Sequence, residues 1–319
     1  MIFPVCPIYS VAAGKGKKGW RAAAQCSSIG FQGKVNMLYF VGVLVVCGSV
    51  AGGYVWHGGI LGVLWQPSEV LIIVGAALGA FLIANSLHTV MDTGKQLPRA
   101  IFGSNKNSAL YLDLLGLLYD IFNKARREGM MAVEADIESP ADSGIFTRYP
   151  KLLKDKRMVE FIADNLRILT TSNLAPHEIE AMMDSEIETQ LHELSEPSHA
   201  IHRIADGLPA FGIVAAVLGI VITMQKLGGP PEALGQSVAA ALVGTFLGIF
   251  LAYAFIAPMS TRLQSVADED IKMFQCVKAA IVATSNGLPP QMAVEFARKT
   301  LFSHDRPSFS ELETHVRSR

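Results

Sequence analysis

The sequence is short of charge. Asp, Glu, Lys and Arg make up 17% of its 319 residues, hydrophobic residues make up 50%, and the formal net charge is −1. Cysteine is scarce as well. The four cysteines, at 6, 26, 47 and 276, form no CxxC pair, which excludes a disulfide framework and a zinc ribbon. His192, His199 and His202 offer the nearest approach to a metal cluster, but Pro197 is expected to break the helix between the first two, and no carboxylate pattern accompanies them. No metal site is expected. The chain also lacks a nucleophile motif, a glycine-rich dinucleotide loop and a basic patch with interleaved aromatics; "GKGKKG" does not have phosphate-loop spacing. These absences argue against an enzyme and against nucleic-acid binding.

What is present is apolar sequence in long runs. No Asp, Glu, Lys or Arg occurs between Lys34 and Glu69, between Glu69 and Asp92, between Asp206 and Lys226, or between Glu232 and Arg262. A membrane helix needs about 20 mostly apolar residues. The runs therefore predict four spans, near 37–56, 69–87, 207–227 and 233–258, and an all-α, polytopic membrane protein. None of these helices is expected to carry a carboxylate of its own in the membrane, Glu69 being read as the boundary of the second.

Lysine and arginine set the topology. Thirteen lie in residues 87–206, eight from 260 onward and five before the first span, whereas the 57–68 loop has none. The positive-inside tendency then puts both termini and the large middle segment in the cytoplasm, with Tyr54, Trp56 and Trp65 at the outer interface. The expected organisation is residues 1–36 as a disordered leader or over-extended start before Met37, 37–87 as transmembrane helices 1 and 2, 88–206 as a cytoplasmic helical domain, 207–259 as transmembrane helices 3 and 4, and 260–319 as a cytoplasmic helical tail. The leader is basic, has no acidic residue and has no apolar core of signal-peptide length.

Within the middle segment, Leu110, Leu114, Leu118, Ile121 and Phe122 recur at helical spacing, and Gly129 is a natural stop. A second stripe runs through "MVEFIADNLRIL", and a third helix begins at Pro176, a residue suited to the first turn. No stretch alternates in the manner of a strand.

The membrane helices carry two further patterns. Ala240, Gly244, Gly248 and Ala252 form a small-residue stripe on helix 4, matched by Gly212, Ala216 and Gly219 on helix 3 and by Gly75 and Gly79 on helix 2. Such faces let helix backbones approach closely. Thr245 sits beside the stripe and Thr223 near the outer end of helix 3; each hydroxyl could equally bond the carbonyl four residues back, at Ala241 and Gly219. Pro209 is expected to open helix 3 and Pro258 to close helix 4. As paired weak points at one level they would hinge the membrane helices against the cytoplasmic domain, or simply mark helix ends.

At this point several segments become recognisable in order: "PSEVLIIVGAALGAF", "IEAMMDSEIET", "DGLPAFGIVAAVLGIV", "ALVGTFLGIFLAYAFIAP" and "AVEFARKTLFSHDRPSFSELE". Together they resemble the MotA family of flagellar motor stator subunits, which belongs with TolQ and ExbB, over Met37 to about Val316. The resemblance implies a homopentamer in the bacterial inner membrane around a pair of MotB chains, whose membrane helix brings the ion-binding aspartate. It implies that helices 3 and 4 line the ion pathway with Thr245 facing that aspartate, that Pro209 and Pro258 couple ion passage to movement, and that Arg126 and Glu134 engage the rotor protein FliG. Ala216 stands where sodium-type relatives carry threonine, which suits a proton as the transported ion; no other cofactor is implied. A TolQ/ExbB-like energiser of envelope transport is the alternative within the same group. A transporter acting alone would need midplane polar groups or broken helices, and the chain shows few.

Overall fold

The structure is a computed structural model that describes residues 39–103, 106, 108–172, 174–225, 228 and 230–317. The expectation for residues 1–36 lies outside them. All regular structure among the described residues is helical: α1 Tyr39–Trp56, α2 Leu61–Leu64, α3 Pro67–Ala84, α4 Leu87–Phe102, α5 Ser108–Glu128, α6 Glu134–Glu138, α7 Pro150–Leu153, α8 Lys156–Thr171, α9 Pro176–Met224, α10 Pro231–Leu251, a π-helical turn at Ala252–Ile256, α11 Ala257–Ser285, α12 Pro290–Lys299 and α13 Phe309–Arg317. Four helical stretches are long and apolar enough to cross a membrane: Tyr39–Trp56, Leu61–Ala84, and parts of Pro176–Met224 and Leu234–Ser285.

Local chemistry sets several boundaries. Ser86 accepts from the Thr89 amide at 3.2 Å to start α4, and Asp155 accepts from the Met158 amide at 3.3 Å to start α8. Pro176 opens α9, where the Glu178 carboxylate accepts from the Ala175 amide at 2.8 Å. Gly129 ends α5 with φ +93°, a conformation that side-chain-bearing residues rarely adopt.

Two helical rods organise the molecule. One is α9; the other runs from α10 through the π turn into α11. Their apolar halves pair in the membrane part, and their amphipathic halves continue into the helical domain. There Met183, Ile187, Leu194, Ile271, Phe274 and Val277 join Leu114, Leu118 and Phe122 of α5, Ile162 of α8, Val294 of α12 and Leu312 of α13 in one buried core. The segment after helix 4 is thus packed into the same core as the segment between helices 2 and 3. Cys276 lies inside it, and burial pushes its thiol up to about 12, so it stays protonated and unreactive at neutral pH.

The prolines depart from expectation. Pro197 and Pro209 lie inside α9, and Pro258 lies near the start of α11 with helix on both sides. Neither Pro209 nor Pro258 opens or closes a helix. A proline removes one backbone hydrogen bond and crowds the carbonyl four residues earlier. Along α9 that local cost is offset by packing on either side, where Ala200, Ile201, Ala205 and Leu208 are all buried. Ahead of Pro258 the helix is widened instead, the Ala257 amide donating to Ala252 O across five residues.

Candidate functional site

Antiparallel pairing of the two rods can be followed residue by residue. A Cβ on Gly219 would meet Ala241 Cβ at 2.9 Å, one on Gly212 would meet Gly244 O at 2.9 Å, and one on Gly248 would meet Gly212 Cα and Leu208 O at 2.8 Å. Further along, Ser198 Oγ donates to Ser260 O at 2.9 Å. The seam is made by Ala241, Gly244, Gly248 and Ala252, all buried, whereas Ala240 is only half-buried. Helical geometry explains the change from 240 to 241: with about 3.6 residues per turn, a row of strict four-residue steps drifts off the contact line, and a three-residue step restores it.

The same register places the prolines at different levels. Pro209 faces the neighbourhood of Leu251, and Pro258 faces that of Ala200 to His202. They are separated by about 10 Å along the pair at roughly 1.5 Å per residue, and the π turn lies between them. Pro209 is half-buried and Pro258 exposed.

The residues assigned to the ion pathway are not all brought together. Ala216 is buried at the level of Gly244, with its backbone nitrogen 3.3 Å from where a Gly244 Cβ would stand. Thr245, the next residue on α10, is half-buried. Thr223 lies two turns further along α9, 1% exposed, and its hydroxyl donates to Gly219 O at 2.8 Å within its own helix. On α3, a Cβ added at Gly75 or Gly79 would meet no neighbouring element within 4 Å; α3 meets the rods through Ile73 and Ala77, which pack with Leu208, Ala215 and Ala252.

The membrane part contains a carboxylate that sequence reading assigned to a boundary. Glu69 is in the first turn of α3, 7% exposed, with Oε2 lying 2.9 Å from a Gly244 Cβ position and making no hydrogen bond. The expectation of membrane helices without an acid is corrected here. The overlooked signal was the apolar sequence before it: the membrane-length stretch begins at Leu61, so Glu69 is interior to it.

At the other end of the molecule, Arg126 and Glu134 are both exposed, at the end of α5 and the start of α6. Neither enters an ion pair among the described residues. Their spacing is fixed from beneath: Lys124 Nζ pairs with Asp136 Oδ2 at 2.7 Å, and Ser143 Oγ donates to Asp136 Oδ1 at 2.6 Å. Arg126 and Arg127 also edge a shallow cleft of about 400 Å³ with Asn123, Pro289, Pro290 and Gln291, so α5 and the start of α12 present a cationic face together. His192, His199 and His202 stand exposed on the unbroken α9, and no group of three potential metal ligands occurs among the described residues.

Comparison with known proteins agrees with this architecture. Residues 40–129 match the motility protein A N-terminal family model, and residues 154–276 match that of the MotA/TolQ/ExbB proton channel family. The chain is 48% identical over 282 residues to motility protein A of Salmonella typhimurium, covering 88% of this chain and 96% of that one. The chain belongs to the motility protein A family. It is accordingly a membrane subunit of the flagellar stator's ion channel, and not an enzyme. Chemotaxis protein LafT of Vibrio parahaemolyticus is 40% identical over 277 residues, covering 87% of this chain and 97% of its own length. Among solved structures, C. jejuni MotAB gives a TM-score of 0.68 at 22% identity over 86% of this chain and 99% of that chain. The flagellar MotAB stator complex of Bacillus subtilis gives 0.63 at 22% identity over 86% and 97%. These two likenesses establish the four-helix membrane fold with its helical domain.

Proposed function

We propose that this chain assembles as a homopentamer around a pair of MotB chains in the bacterial inner membrane, passes protons, and exerts torque on the rotor protein FliG. The observation that supports this reading is the close seam of α9 and α10, where Ala216 lies against Gly244, the residue before Thr245, beside a spanning surface left apolar and exposed. Ile213, Val214, Val217, Leu218, Val221 and Leu242 are all exposed in the single chain. Contiguous apolar surface of that kind is covered by lipid or by other membrane helices. No residue of α1 is buried, as suits a helix at the outer edge of an assembly.

In this reading the partner's aspartate binds the ion beside Thr245. Neutralising it changes its attraction to the surrounding seam, and the ring steps round. The π turn bracketed by Pro209 and Pro258 is the compliant section through which the rods transmit that step to the helical domain. Both termini are cytoplasmic, so Arg126 and Glu134 face the rotor. A proton is favoured over sodium because Ala216 supplies no oxygen, whereas a dehydrated metal cation is held by several.

The test is complementation of a strain lacking its own stator subunit. Swimming is expected when the chain is produced with its MotB, with speed unchanged on replacing sodium by potassium at fixed proton motive force. Speed that follows external sodium refutes the proton assignment, and failure to swim with normal membrane levels refutes the stator reading.

A further inference from the structure

Glu69 is unusual in three respects that together call for a function. It occupies the third helical position of α3, where an acid ordinarily turns back to cap the helix start. No such cap is formed; the carboxylate points across to α10. There it meets Gly244, at which a Cβ would lie 2.9 Å from Oε2 and 3.3 Å from both Ala215 Cβ and Ala216 N. Glycine at 244 therefore makes the space the carboxyl occupies. The depth is considerable: Gly244 is about 20 Å along α10 from Pro231, and about as far from Pro258, at roughly 1.5 Å per residue.

No counter-charge lies along the spans that pack around it. Val70–Ala84 of α3, Gly207–Met224 of α9 and Leu234–Leu251 of α10 contain no Asp, Glu, Lys, Arg or His. A buried acid with no cation beside it and one oxygen left without a donor is costly and, in membranes, marks ion pathways. A metal ion would need a shell of oxygens, and the other groups nearest the Gly244 Cβ position that Oε2 approaches are the Ala215 methyl and the Ala216 backbone nitrogen.

We propose that Glu69 is a second proton-binding site of the membrane part, carried by this chain itself. It accepts a proton on its carboxylate and yields it to the carboxylate of the partner's aspartate beside Thr245, one O–H bond breaking as the other forms. This rests on the stator reading above.

The test compares Glu69→Gln, which keeps shape without an exchangeable acid proton, Glu69→Ala, which removes the carboxyl, and Glu69→Asp. Each is produced with MotB in a strain lacking its own subunit. Rotation of tethered cells is read at matched membrane level, together with the infrared carboxylic-acid band of the purified complex across pH. Rotation is expected to fall by roughly 100-fold in Gln and Ala, the lower end of the range for losing a positioned proton carrier, and to recover partly in Asp. A band that titrates in the wild type is expected to vanish in Gln. Wild-type rotation in either Gln or Ala overturns the proposal. So does the absence of a Glu69-dependent band, or failure of both variants to accumulate while Asp assembles, which would make the carboxyl structural. A rotation that follows sodium and is lost in Gln overturns the proton as its ligand. Were the wild type itself not to turn a motor, the stator reading would fall, and the infrared titration would still decide whether Glu69 holds a proton.

Discussion

Gly248→Ala isolates what the helix seam contributes. A Cβ at 248 would stand 2.8 Å from Gly212 Cα and Leu208 O and 3.1 Å from Gly212 N, all backbone atoms that cannot swing aside. Ordinary contact between carbon atoms begins at about 3.5 Å, so the rods must part locally by roughly 0.7 Å. That displacement also loosens the Gly219–Ala241 contact further along. Overpacking of this kind costs about 1–3 kcal/mol. Replacing glycine by alanine within a helix returns about 0.5–1 kcal/mol, which would mask part of the loss. Gly94→Ala on α4 serves as the control: Gly94 is exposed and a Cβ there would meet nothing within 4 Å, so it shows the propensity gain alone. The difference between the two variants is then the seam term, about 1–3 kcal/mol, or several degrees in thermal midpoint. Thermal unfolding of the detergent-solubilised complex reads it, with Gly94→Ala expected slightly above wild type and Gly248→Ala clearly below. A midpoint for Gly248→Ala equal to that of Gly94→Ala would show that the seam tolerates a methyl group and that the close approach is not what holds the rods together.

Three further outcomes follow from the same geometry. Arg298 clasps Glu295 with two contacts of 2.8 and 2.6 Å and donates to Pro307 O at 2.8 Å, and its hydrogen bonds hold the Glu295 carboxyl below the usual range. A depressed carboxyl stabilises the fold above its unfolded value of about 4.3 and loses that contribution as pH falls through the folded value. Thermal midpoints of wild type and Arg298→Met should therefore differ most near neutral pH and converge in acid; a constant gap would disprove the linkage. Charge reversal at Arg126 or Glu134 is expected to shift stability by no more than about 0.5 kcal/mol while lowering torque, and loss of the protein from membranes would count against a rotor-facing role. Pro258→Leu restores a backbone donor beside the π turn and is expected to slow amide exchange over Ala254–Met259 and reduce torque with normal MotB co-purification; normal torque would retire the idea of a compliant section.

The number and composition of the membrane helices were legible in the sequence because lipid imposes a simple length and polarity requirement. The stop at Gly129 and the start at Pro176 were equally readable, since backbone conformation at such residues is a local matter. The family was legible because many short segments matched in order. Tertiary structure decided the rest. Pro209 and Pro258 read as helix ends in one dimension, yet long-range packing and a π turn carry the helices through them. Whether the tail formed its own element or joined the main core depended on contacts between distant segments, such as Phe274 of α11 with Phe161 of α8 at 4.9 Å between ring centroids. Glu69 is the sharpest instance. Its sequence neighbours describe an ordinary acid at a helix start, and only the approach of Gly244 from α10 turns it into a buried carboxyl whose Oε2 has no hydrogen-bond partner. Local sequence fixes backbone propensity and span; which side chain is cut off from water depends on what folds against it.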